Sequence, residues 1–170
     1  MSRILIILLA TLLVSPGLFA ADLTDAHEHS SCSYCGMDRV KFAHSRMLIE
    51  YSDGSVVGTC SLRCAAVELS LSIDKIPEQI RVGDFDSKEL IDAEQAFWVV
   101  GGSKPGVMTA RAKWAFKSEA AAKGFSAANG GELVGFDGAI KAAYEDLYKD
   151  TQMIRNKRKA KKMKMQSQGS

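Results

Sequence analysis

Four cysteines constrain this chain more than anything else in it. They stand as Cys32-x2-Cys35, then 24 residues, then Cys60-x3-Cys64. Four thiolates held about 2.3 Å from one ion close a tetrahedral shell around zinc, and the same soft sulfur traps Cu(I). A fold that uses them so must bring two separate segments to one point. His27, His29 and Met37 crowd the first pair in "HEHSSCSYCGM". Cys64 lies one helical turn beyond Cys60, so both can face one ion, and a helix N-terminus favours the thiolate. Two other uses stay open. An even number of cysteines outside the cytoplasm commonly forms disulfides, and Cys-x-x-Cys also serves as a redox dithiol. The dithiol is the weaker reading, since no strand pattern precedes the motif and no helical pattern follows it at once. Gly36 stands where a c-type haem motif needs histidine, which removes that use.

The choice between thiol and disulfide turns on location. The chain opens "MSRILIILLATLLVSPGLFAAD", with Arg3, an apolar run from Ile4 to Val14, Pro16-Gly17 and small residues at Ala20 and Ala21. This reads as a signal peptide over residues 1–20, cleaved near Ala20, and implies a periplasmic protein. The run is shorter than the roughly 20 residues of a membrane span. There is no lipobox cysteine, so a lipid anchor is not expected. The net charge of +2 hides an asymmetry. Setting aside Arg3 and the seven basic residues of "RNKRKAKKMK" (155–164), the body 21–154 carries −6. A basic block is usually a solvated, disordered end. Contact with a membrane surface is its other reading, and export argues against nucleic acid.

Hydrophobic spacing sets out the body. Met47-Leu48-Ile49 with Tyr51, then Asp53-Gly54, then Val56-Val57 reads as a hairpin. Leu62, Ala65, Ala66, Leu69 and Ile73 recur at helical spacing behind Ser61 as N-cap, Pro77 breaks the pattern, and "IRVGDF" alternates as a strand. The sequence then repeats this order. "AFWVVGG" and "RAKWAF" are strands, "KSEAAAKGFSAANGG" is a helix from Ser118 to Asn129-Gly130-Gly131, and "ELVGF" is a strand. "DGAIKAAYEDLY" adds a final helix. The expectation is an α+β protein of two similar ββαβ units, with residues 21–31 a flexible lead-in, 32–92 the first unit, 93–150 the second unit and C-terminal helix, and 151–170 a disordered basic tail. Both cysteine pairs flank the first hairpin, a treble-clef-like arrangement. Phe97, Trp98 and Trp114 read as core aromatics of the second unit, and Met47 as core.

At "CSYCGM" the chain becomes similar to a known family. With "IDAEQAFWVVGGS", "GVMT", "KWAF" and "GFSAANGGELVGFDGAI", it resembles the NosL family over about residues 32–143. Those proteins are accessory factors of nitrous oxide reductase, implicated in delivering Cu(I) outside the cytoplasm. The resemblance implies two ββαβ units, distantly similar to organomercurial lyase. It also implies Cu(I) ligation by Cys35 and Met37 of Cys-Gly-Met and by Met108 of Gly-x-Met. Thiolate and thioether suit Cu(I), and a partly open site lets the ion pass by ligand exchange. The implied partner is a copper-requiring enzyme or a copper exporter outside the cytoplasm. Cys60 and Cys64 go beyond the family pattern and point to tighter holding.

The metal-ligand set expected is therefore Cys32, Cys35, Met37, Cys60, Cys64 and Met108, for Cu(I). The alternative is a structural four-cysteine zinc module acting as a protein-interaction domain. His27 and His29 read as solvated residues and His44 as an ordinary surface histidine, with a ligand role the lesser reading of each. No serine, histidine and carboxylate constellation suggests an enzyme. Cleavage of a carbon–mercury bond, with an acid such as Asp84, Asp86 or Asp92, rests on fold analogy alone.

Overall fold

A computed structural model describes residues 21–168; the expected signal segment, 1–20, lies outside them. The order is α1 (Thr24–Glu28), β1 (Met47–Tyr51), β2 (Val56–Thr59), α2 (Leu62–Leu71), β3 (Pro77–Gly83), β4 (Leu90–Asp92), β5 (Phe97–Val100), β6 (Lys113–Phe116), α3 (Glu119–Asn129), β7 (Glu132–Val134) and α4 (Phe136–Gln168). The strands form two antiparallel sheets, β2-β1-β3-β4 and β6-β5-β7. The protein is thus α+β, with two small sheets and a C-terminal helix. The expected hairpin turns at Gly54 (φ 81°), and the Tyr51 amide donates to the Ser55 carbonyl at 2.9 Å. Pro77 opens β3 rather than preceding it, and a strand's first residue is one of the places in a sheet where a missing N–H costs little. β4 joins the first sheet as a strand that the sequence reading does not contain. Ile73 falls beyond the end of α2 and is exposed.

Sheet two is buried on both faces, because its side chains alternate between two clusters. Trp98, Val100 and Ala115 point to a core shared with Met47, Ile49 and Val82 of the first sheet, Ala65 and Ala66 of α2, and Ala139 and Ala143 of α4. Val99, Trp114 and Phe116 point the other way, to Ala122 of α3 and to Cys32, Cys60 and Cys64. The three aromatics expected in the core divide: Trp98 and Trp114 are buried, while Phe97 at the strand start is exposed. Each buried large side chain contributes about 1.5–3 kcal/mol. The sheets are also stitched by the Phe85 amide to the Ala115 carbonyl (2.8 Å) and the Lys117 amide to Asp84 Oδ1 (2.8 Å).

Residues 21–31 hold a short helix where a flexible lead-in was the expectation. Asp25 is its anchor, meeting Arg39 Nη2 at 2.7 Å and Arg46 Nη2 at 2.7 Å. Both guanidiniums are fully buried and use their other donors on the carbonyls of Asp22, Asp25, His29, Ala43, Met47, Thr59 and Lys88. Gly58 makes room for this, since a Cβ there would lie 2.7 Å from Arg39 Cζ. At the other end, residues 151–168 continue α4 where a disordered tail was the expectation. Lys, Arg, Ala, Met and Gln are strong helix formers, and neither glycine nor proline occurs from 139 to 168.

Candidate metal centre

The first cysteine pair sits on a tight knuckle. Cys32 N–H donates to the Met37 carbonyl (2.8 Å) and Gly36 N–H to the Cys32 carbonyl (2.9 Å), with Gly36 at φ 73°, a conformation glycine adopts without strain. The Ser33 amide and hydroxyl both donate to the Gly58 carbonyl, at 3.1 and 3.0 Å, which fixes the knuckle to β2. β2 then runs directly into Cys60, and Ser61 starts α2 so that Cys64 lies in its first turn. The Ser45 hydroxyl holds the Cys60 carbonyl at 2.8 Å.

These elements bring all four cysteines together. Their Sγ atoms lie within 4.8 Å of one another, with Cys35–Cys60 at 3.4 Å and Cys60–Cys64 at 3.9 Å. Four sulfurs about 2.3 Å from a central ion stand about 3.8 Å apart, so the set matches the shell of a single ion. All four are free thiols. Cys60 and Cys64 are fully buried and Cys32 nearly so; Cys35 alone is half-exposed.

Proximity governs their ionisation. Hydrogen bonds from Cys35, then Cys60 and Cys64, hold the Cys32 thiol far below the ordinary range. Cys32 pushes Cys35 up, but the Cys60 and Cys64 thiols outweigh it and leave Cys35 at about 7. Hydrogen bonding to Cys32 first, and to Cys35 next, pushes the Cys60 and Cys64 thiols up, and burial adds to the shift. A thiophilic cation reverses this by displacing protons, so affinity falls as pH falls.

Met37 and Met108 are half-buried and pack against the apolar cluster that includes the cysteines. Met108 is held at φ 59°, unusual for a residue with a side chain. Asp150 Oδ1 accepts the Ala110 amide at 2.9 Å and so ties that loop to α4. His44 is not one of the converging groups. It is half-buried against the rings of Phe42, Phe85 and Trp114, and burial, then the charge of Lys88, lowers its pKa. His27 lies exposed on α1, and His29 follows its end. Sequence reasoning missed four residues at the centre: Tyr34 and Glu68, which hydrogen-bond to each other, Arg63, whose Nη1 is 4.0 Å from Cys64 Sγ, and Arg158, whose Nη2 reaches the Cys35 carbonyl at 3.1 Å. Of these only Glu68 left a trace in the sequence, four residues after Cys64 on one helix face.

Comparison with known proteins bears on this centre. The NosL family model matches residues 23–144. The crystal structure of the copper chaperone NosL from Shewanella denitrificans is similar in fold, with a TM-score of 0.52 and 24% identity, covering 63% of this chain and 87% of that one. No curated protein matches.

Proposed function

This chain belongs to the NosL family, and from that premise we propose that its four-cysteine centre binds Cu(I) as cargo and hands it to a copper-requiring partner. The role is that of an accessory protein and not of an enzyme. The observation that carries the reading is the convergence of four thiols of which one, Cys35, is half-exposed. Three buried sulfurs hold a soft ion while the fourth offers an incoming ligand a point of attack, so the ion leaves by stepwise exchange. Met37 and Met108 supply thioethers, which bind without losing a proton. The similar Shewanella protein is a copper chaperone, which supports copper as the cargo. On this reading residues 1–20 direct export, the protein works in the periplasm, and the acceptor is an enzyme such as nitrous oxide reductase or a copper exporter. The basic end of α4 gives it contact with anionic membrane surface.

A second reading is favoured by one observation. The sulfur spacing is also that of a closed zinc tetrathiolate, so a structural zinc module serving protein interaction has the same geometry. Metal analysis with thiol counting, on protein purified without chelators, separates the two. Copper near one equivalent, passed to a Cu(I) chelator within seconds, supports the carrier. Zinc at one equivalent that is released only as the protein unfolds overturns it. The variant Cys35→Ser is expected to weaken Cu(I) binding at least tenfold; unchanged affinity would place the site elsewhere.

A further inference from the structure

Tyr34 stands between the two cysteines of the knuckle, and Glu68 stands one turn beyond Cys64 on α2. The Tyr34 hydroxyl donates to Glu68 Oε2. On Oε1 the same carboxylate accepts the hydroxyls of Tyr51 (2.8 Å) and Ser72 (2.8 Å). Glu68 is only 5% exposed, and no cation lies in ion-pair contact with it among the described residues. Burial works against its charge, but the hydroxyls of Tyr34, Ser72 and Tyr51 outweigh it and leave the group below the usual carboxylate range. A buried carboxylate supported chiefly by hydroxyls, with only the more distant charge of Lys75 added, is costly unless every donor is in place. The four-thiol centre is built from two halves, the knuckle and the start of α2, and this hydrogen bond joins them.

We infer that Tyr34 and Glu68 are positioning residues, a latch that holds the two cysteine pairs at metal-binding separation and thereby sets how tightly the centre keeps its ion. The inference rests on the metal-binding reading above. Four thiols resist assembly, because their partial charges repel and each must be desolvated. A latch meets part of that cost before the ion arrives, which is preorganisation. Its strength decides where the protein lies between holding an ion with four sulfurs and passing it with fewer.

Tyr51 provides the control. It donates to the same carboxylate but from β1, which bears no cysteine. Full-length wild type, Tyr34→Phe and Tyr51→Phe are titrated with Co(II) and with Cu(I) against a competing chelator, and metal-free thermal unfolding is recorded for each. Tyr34→Phe is expected to lower affinity about 10–100-fold, to speed release to the chelator, and to shift the Co(II)–thiolate absorption. Tyr51→Phe is expected to lower thermal stability at least as much while keeping affinity within about threefold. Wild-type affinity in Tyr34→Phe, or equal weakening in both variants, would overturn the latch while leaving the metal site standing. A wild type that binds neither Co(II) nor Cu(I) would overturn both.

Discussion

Asp25 shows how one residue can secure a whole terminus. Its carboxylate is the shared ion-pair partner of two guanidiniums that are fully buried, so its removal leaves two charges without a partner rather than one. Asp25→Ala is expected to cost about 3–5 kcal/mol, read as a drop in the denaturant midpoint without a change in slope. The same contacts set an acid limit. Burial would raise the Asp25 pKa, but the hydrogen bond and charge of Arg46, then those of Arg39, outweigh it and depress it. A group depressed on folding contributes stability that is present above its unfolded pKa and is lost as pH falls through the folded value. Glu68 and Asp146 are shifted in the same direction. Stability is therefore expected to decline below about pH 4, and Asp25→Ala to flatten that decline; an equally steep acid transition in the variant would show that other carboxylates govern it. At this scale the convergence of the four cysteines was legible, because their spacing on either side of one hairpin brings them to one point. Tyr34, Arg158 and the partners of Asp25 were not, because each acts on a residue fourteen or more positions away and leaves no periodicity.

Among elements, the strongly patterned ones were legible and the exceptions have physical causes. The Asp53-Gly54 hairpin, α2 behind Ser61 and α3 between Ser118 and Gly130 all carry local signals, and Ser118 Oγ does accept the Ala121 amide at 3.2 Å. β4 has three residues, too few to show alternation. α1 is stabilised by Arg39 and Arg46 rather than by its own sequence. α4 is the instructive case, since its charge block reads as disorder while its helix propensity argues for a helix. The two halves of α4 are unlike. Ala139, Ala142, Ala143 and Asp150 are buried, whereas every residue from 155 to 168 is exposed. A chain ended at Ile154 is therefore expected to unfold within about 1 kcal/mol of the full chain, surface residues being worth little. It should lose the salt-sensitive adsorption to anionic vesicles expected of seven clustered cations at low ionic strength. Adsorption that survives truncation would place the contact on the body.

For the molecule as a whole, the division of the core decides whether the ion is cargo or keystone. One cluster spans both sheets, α2 and α4 and contains no cysteine; the other includes three of the four cysteines together with Trp114, Phe116 and Ala122. The first is large enough to keep the sheets together without a metal, whereas a zinc finger has no such second core and unfolds when chelated. Metal-free, reduced protein is thus expected to keep its far-ultraviolet circular dichroism and a cooperative thermal transition. Metal adds to this by mass action, because the folded state alone presents four sulfurs at one point. Free metal a thousandfold above Kd adds about 4 kcal/mol, and a chain of this size gains roughly 2–4 °C per kcal/mol, so Cu(I) should raise the midpoint by about 8–16 °C. The rise should shrink as pH falls, since protons compete for the same thiols. Calorimetry of the metal-free and loaded protein decides the matter. A folded apo state with a ligand-dependent midpoint is the behaviour of a carrier, which must outlive each delivery; loss of the transition on chelation would make the ion part of the fold.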